Sequence, residues 1–264
     1  MKKLIILSMT LFGLLACKKL PNYYCVNKEN IDFSEVNYSG YDAKTGFRWL
    51  IFKDKTHFNI WLDTDNVVTQ NKLLYTGFTL FFDEEGKKQK KIGVNFPIKT
   101  EKTFTMKDFK SHFNNDHFSI NTTNELAKII NQLPKEGFYL NNGQKEEFNY
   151  LFDKKDYEIE LADKNESLTY RLRIPLSKII VNPESKSFTL GIESGVLDFE
   201  LPDGMQAPNQ NTAIPNTSGI PGNRGGNSPG VMGGGVAGKQ RNLATFNQIE
   251  EPIRLWFKVN LTNI

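Results

Sequence analysis

Trp61 and Trp256 each sit at a polar position of an alternating run, and the chain's most specific chemistry could start there. Phe58, Ile60 and Leu62 point one way, so Trp61 shares a face with Asn59 and Asp63. Ile253, Leu255, Phe257, Val259 and Leu261 alternate in the same manner, so Trp256 shares a face with Arg254, Lys258 and Asn260. Successive strand side chains point to opposite sides, so both indoles fall on nominally wet faces. A flat ring beside polar groups can stack on the apolar face of a sugar while its neighbours bond the hydroxyls. Trp61, Trp256, Asn59 and Arg254 are therefore the candidate ligand-binding residues. The competing expectation is that the 100–150 segment lies over these faces and covers both rings. Trp49 runs in phase with Phe47 and Ile51 and is assigned to the core.

Other reacting groups are sparse. His112 and His117 are five apart with Asp116 between them, a short list for zinc, and a solvated loop is the expectation. His57 starts a strand and is expected to be exposed. Asp63, Asp65 and Asn66 crowd one turn, and Asp83, Glu84 and Glu85 another. Calcium takes about six to eight oxygens, usually from several segments, so ordinary turn chemistry is expected at both. No Gly-x-Ser-x-Gly elbow occurs, and no carboxylate pair stands out for glycoside chemistry. No catalytic residue, metal or cofactor is assigned. A non-catalytic protein is expected, with a hydrolase as the remote alternative.

The N terminus carries the clearest signal. Lys2 and Lys3 precede an apolar run, Leu4 to Ala16, that is shorter than the roughly 20 residues a bilayer-spanning helix needs. It ends Leu14-Leu15-Ala16-Cys17. A small residue followed by Cys at the cut site resembles the lipobox of bacterial lipoproteins. The resemblance implies that residues 1–16 are removed and that Cys17 carries the acyl chains. Residues 17–24 then form a tether, with Lys18 and Lys19 at the lipid–water boundary. The tether has no acidic run of the kind that marks some surface-displayed lipoproteins, so the expected location is the outer membrane, facing the periplasm. Cys25 is left as a lone thiol, expected to be packed and quiet.

Removing sixteen residues from 264 leaves 248, enough for a sizeable core. Of 33 basic side chains two are Lys2 and Lys3, and 30 are acidic, so the remainder is near neutral and has no nucleic-acid footprint. Strand signals dominate. Phe47–Phe52 is apolar on both faces apart from Arg48. Leu73–Phe82 is apolar nearly throughout and reads as a central strand, paired through the turn at 83–87 with alternating residues 90–96. Thr122 and Glu125 fit a capping box, and Leu126, Ile129, Ile130 and Leu133 follow at helical spacing, so a helix over 123–133 is expected on the sheet, after a short helix starting near Thr105. Asn141-Asn142-Gly143 is a turn. Residues 157–161 and 168–174 form the cleanest hairpin, with outward glutamates and arginines. Phe188 to Phe199 gives one or two strands broken near Gly195. Residues 202–242 hold 10 of the 20 glycines and no aromatic residue, a composition expected to be disordered. The final run, 253–261, is too apolar on one face to be left in water. It must return to the same sheet, which makes the glycine-rich tract a loop within one domain, 25–264.

The stretch from Thr69 to Lys88, with Ile92-Gly93-Val94-Asn95-Phe96-Pro97, resembles a group of Gram-negative lipoproteins. That group is itself similar to the β-sandwiches of DOMON domains and family 9 carbohydrate-binding modules. Arg173-Ile174-Pro175-Leu176 and the glycine-rich insertion before Ile253-Arg254-Leu255-Trp256-Phe257-Lys258 fit it too. The resemblance implies an all-β, antiparallel β-sandwich with one or two short helices packed on it and a long glycine-rich loop. Such sandwiches bind sugars, haem or nothing known, and the Met and His haem ligands have no counterparts here. The expected partners are the membrane, through the lipid, and either a glycan or another envelope protein.

Overall fold

The computed structural model describes residues 19–31, 37–100, 104–105, 125–153, 157–182, 184–196, 199–200 and 251–261. In chain order the elements are β1 (Asn22–Tyr24), β2 (Val26–Asn27), β3 (Gly40–Asp42), β4 (Phe47–Lys53), β5 (His57–Thr64), α1 (Val67–Thr76), β6 (Phe78–Asp83), β7 (Ile92–Asn95), β8 (Phe104–Thr105), α2 (Glu125–Gln132), β9 (Glu136–Asn141), β10 (Gln144–Asn149), β11 (Glu158–Lys164), β12 (Ser167–Pro175), α3 (Leu176–Ile179), β13 (Ser187–Ser194), β14 (Phe199–Glu200) and β15 (Arg254–Asn260). Thirteen of these strands build two packed sheets, an all-β sandwich, and β8 and β14 pair separately with each other, in parallel. One sheet has seven strands in the order β1-β15-β13-β6-β7-β9-β10; the other has six, β11-β12-β5-β4-β2 with β3 also on β4. Most pairs are antiparallel; β1 on β15 and β2 on β4 are parallel.

The inner faces meet through aromatic rings. Trp49 of the six-stranded sheet stacks on Phe257 of the seven-stranded one, with centroids 4.9 Å apart and planes 12° apart. Phe58 sits edge-on to Phe82 and Phe188 across the same gap. Burying rings of this size supplies much of the hydrophobic driving force. β15 lies between β1 and β13, so the last run of the chain does return to the sheet. Cys25 is buried at 2 % exposure, and burial pushes its thiol up to about 12.

Several expectations change. The run Leu73–Phe82 is two elements. Asn66 accepts a hydrogen bond from the Thr69 amide at 3.1 Å and caps α1, which carries Leu73 and Leu74 into the core. The chain then turns at Gly77, where φ is +68° and a Cβ would stand 2.5 Å from the Pro97 carbonyl. The strand begins only at Phe78, and its hairpin with β7 forms as expected. Of residues 17–24, expected to be an unpaired tether, Pro21 already accepts from the Lys258 amide and Asn22–Tyr24 pair with β15 as β1. A further hairpin, β9–β10, follows the helix, turning at Asn142 and Gly143 with φ of +51° and +88°. Helix α2 buries Leu126 and Ile130 and leads into buried Leu133. The leader, Cys17, the capping Thr122, positions 106–108, His112, Asp116, His117 and the 202–242 tract lie outside the described residues. Among the described residues no helix is long and apolar enough to cross a membrane.

Candidate functional site

The register of the six-stranded sheet assembles a site that no single segment contains. On its outer face two cross-strand rows run side by side. In one, Glu160 lies opposite Arg171 and Arg171 opposite Trp61. In the other, Glu158 lies opposite Arg173, Arg173 opposite Asn59, and Asn59 opposite Phe52. Together with Lys28 and Tyr150 these residues line a groove of about 940 Å³.

The rows interlock. The Arg171 guanidinium carbon stands 4.0 Å from the Trp61 ring centroid, and its Nη1 donates to Glu160 at 3.1 Å. Arg173 Nη1 donates to Glu158 at 3.1 Å, and its Nη2 lies 3.0 Å from His57 Nδ1 and 3.6 Å from an Asp54 carboxylate oxygen. His57 is thus half-buried beneath Arg173 and not exposed. Burial pushes the Asp54 carboxyl upward, but the Thr56 and His57 amides and the Thr56 hydroxyl outweigh that and hold it down at about 2. Phe52 meets the Trp61 ring edge-on at 5.5 Å.

Two donors in this array are left over. Asn59 is 6 % exposed and its Nδ2 has no acceptor; Arg171 Nε is also buried without one. A buried donor without an acceptor costs about 1–3 kcal/mol. Both residues line the groove, although these two nitrogens themselves are closed off from it. With each arginine paired to a glutamate the lining offers donors and acceptors in balance, which suits hydroxyl groups, since each hydroxyl both donates and accepts. The described lining has no serine, cysteine or histidine.

Of the four candidate residues the structure brings together only Trp61 and Asn59. Trp256 and Arg254 lie on the outer face of the other sheet. Trp256 is buried at 9 % exposure: its ring lies parallel to Phe81 at 6.1 Å, covers Gly191 and donates Nε1 to Glu193 at 2.9 Å. A Cβ at Gly191 would stand 2.6 Å from that indole, so the glycine is what lets the ring lie flat on its own sheet. Among the described residues its contacts are these same-sheet neighbours, and most of the 100–125 stretch expected over it lies outside the described residues. Arg254 is exposed and borders a separate cavity of about 460 Å³ with Lys44, Thr69, Lys72 and Glu251.

The acidic turns are occupied internally. Asp63 accepts from Tyr38 at 2.7 Å and Thr169 at 2.6 Å, and Asp65 pairs with Arg48. Asp83 accepts from the Glu85 and Gln89 amides, and Glu84 from the Val181 and Asn182 amides and the Ser185 hydroxyl. No group of three metal-ligating side chains occurs among the described residues. Arg171, Arg173, Glu158 and Glu160 were visible in the sequence only as an outward pattern on a hairpin. That they flank Trp61 follows from β12 pairing with β5, more than a hundred positions apart.

No protein-family model and no curated protein sequence matches this chain. Among solved structures it is similar to a family 9 carbohydrate-binding module from Caldicellulosiruptor kristjanssonii, described in complex with glucose. The identity is 11 %, the match covers 67 % of this chain and 79 % of that one, and the TM-score is 0.28. The likeness is a weak one.

Proposed function

We propose that this chain is a lipid-anchored, non-catalytic envelope protein that binds a glycan in the groove beside Trp61. The observation that carries the reading is the groove itself, which sets an indole and Asn59 beside two Arg–Glu pairs. With Arg171 over one face of Trp61, the sugar packs against the remaining ring surface and Phe52 while its hydroxyls meet Asn59, Glu158 and Glu160. The Leu14-Leu15-Ala16-Cys17 sequence supports acylation of Cys17, and the lack of an acidic run after it supports placement on the periplasmic side of the outer membrane.

An oligosaccharide array probed with the purified full chain tests the binding. At least one glycan is expected to bind, and Trp61→Ala or Asn59→Ala is expected to weaken it tenfold or more, roughly one lost contact of 1.4 kcal/mol. Trp256→Ala is expected to lower stability and leave affinity unchanged. An array without a hit, or a hit indifferent to Trp61, overturns the glycan reading. Intact-mass measurement of the membrane-extracted protein tests the anchor, with a Cys17→Ser control that carries no acyl mass.

A further inference from the structure

The anchor fixes more than location, because the chain is bound to the sandwich almost as soon as it leaves the lipid. The Pro21 carbonyl accepts from the Lys258 amide at 2.8 Å, and β1 continues in parallel register along β15 from Asn22 opposite Lys258. Only four residue steps separate Cys17 from Pro21, at most about 14 Å of extended chain. The headgroup layer is itself roughly 5–7 Å deep on each side of the hydrocarbon core. An acylated Cys17 therefore keeps Pro21, and the part of β15 beside it, within about 7–9 Å of the outer edge of the headgroups.

The surface that this brings to the bilayer is cationic. Lys19, Arg254 and Lys258 are exposed, and Arg254 and Lys258 share the outer face of β15. Neither takes an ion pair among the described residues. Arg254 lies opposite Glu193, but that carboxylate is already held by Lys90 and the Trp256 indole. Tyr24, 47 % exposed on the adjacent edge strand, adds an amphipathic ring of the sort favoured at membrane interfaces. The outer face of the six-stranded sheet, with its groove, points the other way.

Resting on the proposed acylation of Cys17, the geometry points to the β1–β15 face as a docking surface for anionic phospholipid headgroups. Lys19, Arg254 and Lys258 make the contact, and the Trp61 groove is turned to the aqueous side. Each cation near an anionic leaflet adds roughly fivefold to the partition.

The test uses the acylated full chain in vesicles of phosphatidylcholine and phosphatidylglycerol. A nitroxide is placed at Asn22→Cys, beside Lys258, or at Lys145→Cys on β10, the far edge of the same sheet and about 29 Å away across six strand spacings. Buried Cys25 does not take the label. The label at 22 is expected to be several-fold less accessible than that at 145 to a water-soluble nickel chelate. Arg254→Glu with Lys258→Glu is expected to remove most of that protection. Equal access at the two sites of an acylated protein overturns the docking surface and leaves the anchor standing; protection that survives the charge reversal overturns it as well, since the short tether alone then explains it. An intact mass without acyl chains overturns anchor and docking surface together. Glycan affinity reads the groove separately.

Discussion

Alternation identified which residues leave the core face, yet leaving the core is not the same as meeting water. Trp61 and Trp256 obey the same period-two rule, yet one borders a groove while the other is buried, lying on the bare backbone of Gly191 beside Phe81. The difference lies in the residue across the strand, which local sequence does not name. Lys72 teaches the same lesson from the opposite side. It stands on a helix, and its ammonium is buried against the Glu251 carbonyl. Burial pulls its pKa down from 10.5 to about 8, against the pull of the Glu251 carboxylate. Between those values the unfolded chain binds more protons than the folded one, so this group makes stability rise with pH from about 8 to 10.5, by on the order of 1–3 kcal/mol. Cys25 and Tyr38, both raised to about 12, act in the other direction: their protons are held more tightly when folded, so their contribution fades from about pH 9–10 up to 12. Denaturation curves of the parent and Lys72→Met across pH 7–11 separate the two. The parent is expected to gain on the variant between about pH 8 and 10.5; parallel curves refute the burial of a charged Lys72.

Elements were legible where their stop signals are covalent and illegible where a cap had to compete with hydrophobicity. The β11–β12 hairpin was visible because its alternation and turn residues agree, and Asn165 and Glu166 take the positive φ that turn demands. The 73–82 run misled because an apolar decapeptide suits a buried strand and a buried helix equally. What decides is upstream and downstream of it: the Asn66 cap and the left-handed Gly77. Removing the cap with Asn66→Ala is expected to cost about 1 kcal/mol in urea unfolding, with Asn66→Asp or Asn66→Ser restoring most of it. No change on Asn66→Ala would mean that tertiary packing alone holds α1. The β9–β10 hairpin escaped notice because Gln144 to Glu147 is polar and exposed throughout. As the outermost strand of its sheet, β10 needs no apolar face, and its charges discourage pairing with another chain.

At the scale of the molecule, β15 pairs with both β1 and β13 although fifty residues of glycine-rich and flanking sequence precede it. Loop closure depends on the logarithm of length. Replacing positions 205–245 by a short Gly/Ser link is expected to leave the melting transition cooperative and to raise stability by about 1 kcal/mol. Loss of cooperativity would show that the tract contributes to the sandwich. The sandwich class came from a resemblance, while sequence alone determined the strand-rich body, the faces of its strands and the return of the last strand. Each of these rests on local periodicity and on the cost of leaving apolar surface in water, which a chain carries in its own residue order. Tertiary structure decided which strands are neighbours, and through that the partners of Trp61, the neighbours of Trp256 and the cations beside β1. Those depend on register between segments far apart in the chain, and no local pattern encodes register across such distances.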